Sequence, residues 1–269
     1  MLSQVNINTI THNFSTLPII QQWKTDFPIS YYLSSKIEFK QDSTTYSNNQ
    51  PIYWNKNNMV GLHFFSISAE YKSVNELLLG KHFELIFSAI NGCNCDGDED
   101  KVFDVNFIDP SILSYNHMKS ICWCVGAAHP YLGYDMATID LIKGTIIEFD
   151  QLFAFSINIP DEHTQWLEWI TYQETKVSPV IIEWLRKTQP DLLETPANIE
   201  KVNKLEAEGE CFYLDKDIWM SIERWFLTDK GIVLVYFDGA TGYAPCANSF
   251  EIPYSYIKPY LSIKYALYF

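Results

Sequence analysis

The sequence predicts an α+β fold of antiparallel sheets and hairpins, with a cluster of short helices between residues 160 and 208. Apolar residues alternate with period two before Phe153 and after Ile218, which is typical of half-buried strands. Between Asp161 and Glu208 they change to a period of 3.6, which is typical of helices. The 269 residues are 47% hydrophobic and 16% aromatic, enough to bury a large core.

Three regions are expected along the chain: an N-terminal arm over residues 1–28, a sheet-rich lobe over 29–155 and an α+β lobe over 156–269. No glycine- or proline-rich linker separates the lobes, and no internal repeat is evident. We therefore expect the lobes to form one compact unit.

The first lobe is predicted to consist mostly of strands. Alternation predicts them at Ile29–Phe39, Val60–Tyr71, Val102–Ile108 and Ile112–Val125. The segment Gln41–Asn58 is rich in Asn, Ser and Thr and is predicted to be a loop. Val74–Phe87 follows Ser73, a candidate helix cap, and fits either a helix interrupted near Gly80 or a helix followed by a strand.

The stretch over residues 126–153 reads GAAHPYLGYDMATIDLIKGTIIEFDQLF. Within it, Tyr134–Ile142 alternates between two faces, one with Tyr134, Met136, Thr138 and Asp140 and the other with Ala137, Ile139 and Leu141. Such alternation predicts a half-buried strand. A turn at Lys143-Gly144 and a second short strand ending at Phe153 are expected to follow.

Helix-start signals mark the second lobe. They predict a helix from Asp161 carrying Trp166, Trp169 and Ile170, one from Ser178-Pro179 carrying Ile182 and Leu185, and one from Thr195-Pro196 stopped by Gly209. Strands are then expected at Ile218–Leu227 and Ile232–Phe237, joined by a turn with Gly231 at a left-handed position. Phe250–Pro253 and a turn over Tyr254–Leu261 follow.

Charge restricts the partners of this chain. It has 33 Asp and Glu against 19 Lys and Arg, a net charge of -14. Such a surface repels phosphate backbones and anionic membranes and attracts basic proteins. No signal peptide or membrane-spanning run is visible, so a soluble, cytoplasmic protein is expected, with a periplasmic or extracellular location if the true N-terminus differs.

Two Cys-x-Cys pairs, Cys93 with Cys95 and Cys122 with Cys124, form the most specific motif. In extended chain, residues two apart project to the same face, so two such pairs are candidate zinc ligands. The spacing lacks the turn of a zinc knuckle, and we expect no bound metal. Disulfides, or simple packing of small apolar side chains, are the alternatives.

No catalytic motif is found. Asp96, Asp98 and Asp100 alternate like calcium ligands, but the glycine and distal glutamate of an EF-hand are missing, so a solvated acidic turn is expected. His129, beside a glycine turn and before Pro130, is interpreted as a hydrogen-bonded structural residue. We therefore expect a protein that is not an enzyme and needs no cofactor.

Loops are expected to carry the function. Most aromatic residues sit at core spacings, but four tyrosines lie in or beside predicted loops: Tyr243, Tyr254, Tyr256 and Tyr260. They are candidates for contact with a protein partner or a sugar.

Two blocks resemble a known domain family. Residues 126–153 resemble its pattern "GGAHP … fD…tGk…L.dlF", and residues 225–261, WFLTDKGIVLVYFDGATGYAPCANSFEIPYSYIKPYL, resemble "Fylt.dGlvfyf.pYeiapya.G…..IPYselk.yl". The family is the extracytoplasmic, RsiV-like domain of the lysozyme-sensing anti-sigma-V factor, which also precedes some peptidoglycan deacetylases. The blocks occur in the same order and cover about a quarter of the chain.

The resemblance implies a binding domain, because the anti-sigma factor uses it to grip lysozyme. The family's membrane anchor and sigma-binding segment are missing from this chain, so we expect an immunity protein or inhibitor that neutralises a basic toxin or wall-lytic enzyme by occlusion. The alternative is a module that binds peptidoglycan or chitin. The residues expected at the partner interface are His129, Pro130, Tyr131, Asp238, Tyr243, Pro253 and Tyr254.

Overall fold

The structure, a computed structural model, describes residues 39–57, 63–90, 93–96, 103–124, 131–154, 176–190, 200, 224–238 and 246–267. The chain divides into two compact units, Met1–Ile146 and Ile147–Phe269. Several predicted elements lie outside the described residues: the arm over 1–28, the strand Ile29–Phe39 except its last residue, the helix from Asp161, the helix from Thr195 except Glu200, and the strand Ile218–Leu227 before Arg224.

The first unit begins with a three-stranded antiparallel sheet. Its strands are β1 (Phe39–Ser47), β2 (Gln50–Asn57) and β3 (His63–Ser66), in the order β1-β2-β3. The prediction of a loop over Gln41–Asn58 is therefore wrong. Asn48 and Asn49 both have positive φ, 46° and 61°, which gives the two-residue turn that matches the twist of paired strands. Ile52 and Trp54 alternate into the core.

One helix, α1 (Lys72–Ile90), follows the first sheet. It runs through Gly80 without a break, so both alternatives, a helix interrupted near Gly80 and a helix followed by a strand, are wrong. The side chain of Asn75 is buried near the start of the helix, where its Oδ1 accepts a bond from the Ile67 amide at 2.9 Å and its Nδ2 donates to the Ile67 carbonyl at 3.0 Å. These bonds fix the connection between β3 and α1.

A five-stranded antiparallel sheet completes the first unit. Its strands are β4 (Cys93–Asp96), β5 (Asp104–Ile108), β6 (Ile112–Cys124), β7 (Tyr131–Asp140) and β8 (Thr145–Ile146). The order is β4-β6-β7-β8, and β5 pairs with β6 beyond the end of β4. The strands predicted at Val102–Ile108, Ile112–Val125 and Tyr134–Ile142 are confirmed within a few residues.

An apolar cluster joins the two sheets and α1 of the first unit. Phe65, Phe103 and Tyr115 pack edge to face, with ring centroids 5.3–5.8 Å apart. Such aromatic contacts stabilise a core beyond the area they bury. On β7, Ala137 and Ile139 are buried in this cluster, as predicted. Thr138 and Asp140 of the opposite face are buried as well, so the prediction of a half-buried strand is wrong for this part of β7.

The second unit contains the sheet β11-β10-β9, formed by β9 (Trp225–Leu227), β10 (Gly231–Asp238) and β11 (Cys246–Pro253). The helical segments in the described part of this unit include a 3-10 helix at Phe149–Leu152, α2 (Ser178–Thr188), α3 (Tyr254–Ile257), a 3-10 turn at Lys258–Tyr260 and α4 (Ile263–Ala266). Trp184 of α2 stacks on Phe250 of β11, with centroids 6.0 Å apart. The helix predicted from Ser178 is confirmed.

The described chain is therefore an α+β protein with antiparallel sheets, as the sequence predicts. The hairpin predicted over Trp225–Phe237 is present as β9 and β10. The expectation that Gly231 adopts a left-handed conformation is wrong. Among the described residues, the glycine with positive φ is Gly144. Gly231 is needed for a different reason: a Cβ there would lie 2.8 Å from the Ile252 carbonyl carbon.

Candidate functional site

The hairpin of β10 and β11 organises the candidate residues of the second unit. Its register runs from Gly231 opposite Pro253 at one end, here named the turn end, to Asp238 opposite Cys246 at the other, here named the loop end. The run GIVLVYFD favours a strand because β-branched and aromatic residues fit a pleated, half-buried surface. Ile232, Leu234 and Val235 are buried.

The turn end is held together by hydrogen bonds around Thr228. Its Oγ1 accepts bonds from the amides of Lys230 and Gly231, both at 3.1 Å, and its amide donates to the Gly231 carbonyl at 3.0 Å. The same Oγ1 also donates to Oε1 of Glu251. A threonine that bonds its own turn in this way closes a tight connection between strands.

Tyr254, one of the expected interface residues, belongs to this network. Its hydroxyl donates to the Thr228 carbonyl at 2.7 Å, and its amide donates to the Lys230 carbonyl at 3.1 Å. Pro253 precedes it at the last position of β11, directly opposite Gly231. Both residues are half-buried. Their observed contacts bind β11 and α3 to the turn between β9 and β10.

The loop end lies at the far end of the same strands. Asp238 is the last residue of β10 and Cys246 the first of β11. Seven residue steps separate Gly231 from Asp238, so the two ends are about 24 Å apart at about 3.4 Å per residue. Asp238 and Tyr254 are therefore not brought together. Tyr243 lies outside the described residues.

The first unit contains the other expected interface residue that the structure describes, Tyr131. It begins β7 and lies in register with Cys122 of β6, which in turn lies in register with Cys95 of β4. Directly opposed residues of antiparallel strands share a face of the sheet. His129 and Pro130 lie outside the described residues.

A tyrosine pair forms a second candidate surface in the second unit. The rings of Tyr256 and Tyr260 have centroids 6.2 Å apart, and both side chains are half-buried. The Tyr256 hydroxyl donates to the Val180 carbonyl of α2 at 3.2 Å. Burial is the main reason that the pKa of Tyr256 is raised, and the neighbouring Glu183 raises it further.

An ion pair on α2 borders the tyrosine pair. Lys187 Nζ lies 2.6 Å from Glu183 Oε1, and both side chains are exposed. The hydrogen bond from Lys187 lowers the pKa of Glu183, and the same bond raises the pKa of Lys187. Sequence reasoning missed this pair, although a glutamate four residues before a lysine on a helix is the pattern that forms it.

Two buried or half-buried aspartates have structural roles in the first unit. Asp109 Oδ1 accepts bonds from the amides of Ser111 and Ile112, both at 2.6 Å. Asp140 Oδ1 accepts bonds from the amides of Ile142 and Lys143 at 3.1 and 3.0 Å. Both carboxylates stabilise turns at strand ends, as Asp side chains commonly do.

The metal predictions concern Cys93, Cys95, Cys122 and Cys124. Their backbone positions are paired, since Cys93 lies opposite Cys124 and Cys95 opposite Cys122. Among the side chains that the structure describes, no group of three or more His, Cys, Asp or Glu is placed to hold a metal ion.

No helix in the described ranges has the length and apolar character needed to cross a membrane.

The described residues form an α+β domain of antiparallel sheets and short helices. No protein-family model and no curated protein matches the sequence. Among solved structures, the chain is similar to a member of the DUF3298 family from Bacteroides fragilis, with 12% identity and a TM-score of 0.44. The match covers 84% of this chain and 93% of the other. At this level of similarity it carries no functional argument.

Proposed function

We propose that this chain is a non-enzymatic domain that binds a basic protein and neutralises it by occlusion, as an immunity protein or an inhibitor of a toxin or wall-lytic enzyme. The observation that carries the proposal is the net charge of -14. A charge of this size steers basic partners toward the surface and accelerates their association.

Exposed carboxylates are available for such steering on both units. Glu70 and Asp104 are exposed in the first unit, and Glu148 and Asp229 are exposed in the second. Carboxylates of this kind act mainly on the rate of encounter, because solvent screens them once the complex has formed. Affinity must then come from apolar anchors.

The resemblance of residues 126–153 and 225–261 to the RsiV-like domain supports the same kind of partner. In that family the domain grips lysozyme, a basic enzyme that attacks the cell wall. Charge and resemblance therefore favour the same partner class, a basic protein with lytic activity. A cytoplasmic location remains a prediction from the sequence.

We assign the main contact in the second unit to the loop end, with Asp238 at its rim and Tyr243 as the aromatic anchor. Tyr254 and Pro253 lie at the opposite end of the hairpin, and the Tyr254 hydroxyl already bonds the Thr228 carbonyl. We therefore revise their role from contact to support. In the first unit His129, Pro130 and Tyr131 remain the proposed contact residues.

The proposal is tested by capturing partners from the source lysate, identifying them by mass spectrometry and measuring binding with the purified partner. Tyr243→Ala should weaken binding by about 2 kcal/mol or more, as for an anchor, and Asp238→Asn by less than about 1 kcal/mol, as for a rim charge. Tyr254→Phe is the control at the turn end and should leave affinity unchanged. Equal losses for Tyr243→Ala and Tyr254→Phe would refute the assignment to the loop end.

The alternative function is a glycan-binding module, and the tyrosine pair favours it. Two half-exposed rings with centroids 6.2 Å apart offer an aromatic surface on which a sugar ring can pack. Titration with peptidoglycan or chitin fragments, monitored by tyrosine fluorescence or NMR, tests this alternative. Binding that is lost with Tyr260→Ala and unaffected by Tyr243→Ala would support the glycan module over the inhibitor.

A further inference from the structure

The four cysteines of the Cys-x-Cys pairs occupy adjacent register positions on two neighbouring strands. Cys93 of β4 lies opposite Cys124 of β6, and Cys95 lies opposite Cys122. Residues two apart on a strand share a face, and so do directly opposed residues. The four positions therefore form a block, two by two, on one face of the sheet. This block is here named the cysteine block.

We propose that the cysteine block forms two cross-strand disulfides, Cys93 with Cys124 and Cys95 with Cys122, which tie β4 to β6. Directly opposed Cα atoms in antiparallel sheets are about 4.5 or 5.5 Å apart. Both distances fall within the range of about 4.4 to 6.8 Å that a disulfide spans. Diagonal positions are about 7–8 Å apart, beyond the usual limit of about 7 Å.

The same register favours disulfides over a zinc centre. Neighbouring cysteines on one strand are two residues apart, so their Cα atoms are separated by about 6.6–6.8 Å in extended chain. A structural zinc site needs four sulfurs at about 2.3 Å from one ion, which proteins usually arrange with two to four residues between paired cysteines. The directly opposed cysteines therefore match the geometry of two separate disulfides better than that of four ligands around one zinc ion.

The bonds require an oxidising compartment, so this inference favours the periplasmic or extracellular location over the cytoplasmic one. The oxidant required is a small-molecule disulfide or a protein disulfide of a thiol oxidoreductase. One cysteine loses its proton, and the thiolate attacks the oxidant disulfide, forming a mixed disulfide and releasing one thiolate of the oxidant. The opposed cysteine then loses its proton and attacks the protein sulfur of the mixed disulfide, which releases the second thiolate. Each pair gives up two electrons and two protons, and the oxidant is reduced to two thiols.

The location of the cysteine block gives the bonds a structural consequence. β4 stands at the end of the strand order β4-β6-β7-β8, and Cys124 is the last residue of β6. Covalent bonds at this point would hold the edge strand against β6 immediately before the segment that contains His129 and Pro130. This inference does not depend on the identity of any partner.

Trypsin provides a direct test on the full chain. Cleavage after Lys81, Lys101, Lys119 and Lys143 releases peptides 82–101 and 120–143, which contain the two cysteine pairs. The protein is alkylated during isolation to block free thiols, digested without reductant and analysed by mass spectrometry. We expect the two peptides to be joined and to separate on reduction, with Cys211 and Cys246 as internal controls in other peptides.

Two double variants test the register. Cys93→Ser with Cys124→Ser leaves the opposed pair Cys95 and Cys122, and the link between the peptides should persist. Cys93→Ser with Cys122→Ser leaves the diagonal pair Cys95 and Cys124, and the link should be lost. The proposal would be overturned if both variants show equal linkage. It would also be overturned if the two wild-type peptides are found separate, either alkylated or bridged internally, or if the purified chain carries one stoichiometric zinc.

Discussion

The hydroxyl of Tyr254 donates a hydrogen bond to the backbone carbonyl of Thr228 across 2.7 Å, and so connects the start of α3 to the turn between β9 and β10. The amide of the same tyrosine donates to the carbonyl of Lys230. A residue that sequence reasoning assigns to a partner interface is thus bonded within its own unit.

Removing the hydroxyl of Tyr254 should reduce stability without affecting partner binding. Tyr254→Phe loses the bond to Thr228, and we expect the free energy of unfolding to fall by about 1 kcal/mol. Urea unfolding followed by tryptophan fluorescence measures the change. Tyr260→Phe is the control and should change stability less. A Tyr254→Phe variant as stable as the wild type would show that the bond contributes nothing.

The turn of the first hairpin predicts opposite effects at adjacent positions. Asn48 has φ 46°, and its Nδ2 donates to the Ile108 carbonyl at 2.9 Å, so Asn48→Ala should destabilise by about 1–3 kcal/mol through the lost bond and left-handed strain. Asn49 has φ 61°, and Asn49→Gly should be neutral or stabilise by up to about 1 kcal/mol. Chemical denaturation measures the free energy of unfolding of both variants. A similar loss of stability in both would contradict the expected turn conformation.

Two buried serines predict another contrast. Ser178 Oγ is buried and, in the part of the chain that the structure describes, has no hydrogen-bond partner, so Ser178→Ala should be neutral or stabilise by up to about 1 kcal/mol. Ser114 Oγ lies 2.8 Å from Thr138 Oγ1 in a buried pair, and Ser114→Ala should destabilise by about 1–3 kcal/mol. The comparison fails if thermal or urea unfolding shows a larger loss for Ser178→Ala.

The ion pair of α2 predicts a pH dependence at both extremes. The pKa of Glu183 is lowered by its bond with Lys187, so its contribution to stability is present above the ordinary glutamate pKa and is lost as pH falls through the lower folded value. The pKa of Lys187 is raised, so its contribution is present below the ordinary lysine pKa and is lost as pH rises through the higher folded value.

NMR titration of the Glu183 carboxyl measures this coupling. In Lys187→Gln we expect the pKa of Glu183 to rise toward that of an ordinary glutamate, and high salt should raise it in the wild type by screening the pair. Lys187→Arg retains the charge and is the control. An unchanged pKa in Lys187→Gln would show that the pair does not form in solution.

The sequence predicts the fold class and many strands of the described chain because alternation is a local signal. Ala137 and Ile139 are buried as their spacing predicts, and Pro179 marks the helix from Ser178. The same spacing does not predict that Thr138 and Asp140 are buried on the other face, because that depends on what packs against the strand. The hairpin around Asn48-Asn49 was missed because a segment rich in Asn, Ser and Thr resembles a loop by composition. Its φ angles are set by pairing of the flanking strands, and the adjacent asparagines were the available turn signal.

The candidate site is less predictable because it depends on contacts between distant residues. Nothing local shows that Tyr254 bonds Thr228, or that Asp238 and Pro253 lie at opposite ends of one hairpin. The register of Cys93 with Cys124 likewise follows from how β4 meets β6. The low helix propensity of Gly80 also suggested a break that α1 does not have, because tertiary packing can override the propensity of one glycine.

Neutralisation by occlusion is measured most directly as the partner's own activity in the presence of the purified full chain. The partner is the protein recovered from the source lysate, and its activity is titrated with the chain at low and high ionic strength. We predict stoichiometric loss of activity, with association slowed by salt and inhibition weakened by Tyr243→Ala but not by Tyr254→Phe. Neutralisation by occlusion would be contradicted if the chain recovers no basic protein, or leaves a bound partner fully active, while it binds peptidoglycan or chitin fragments.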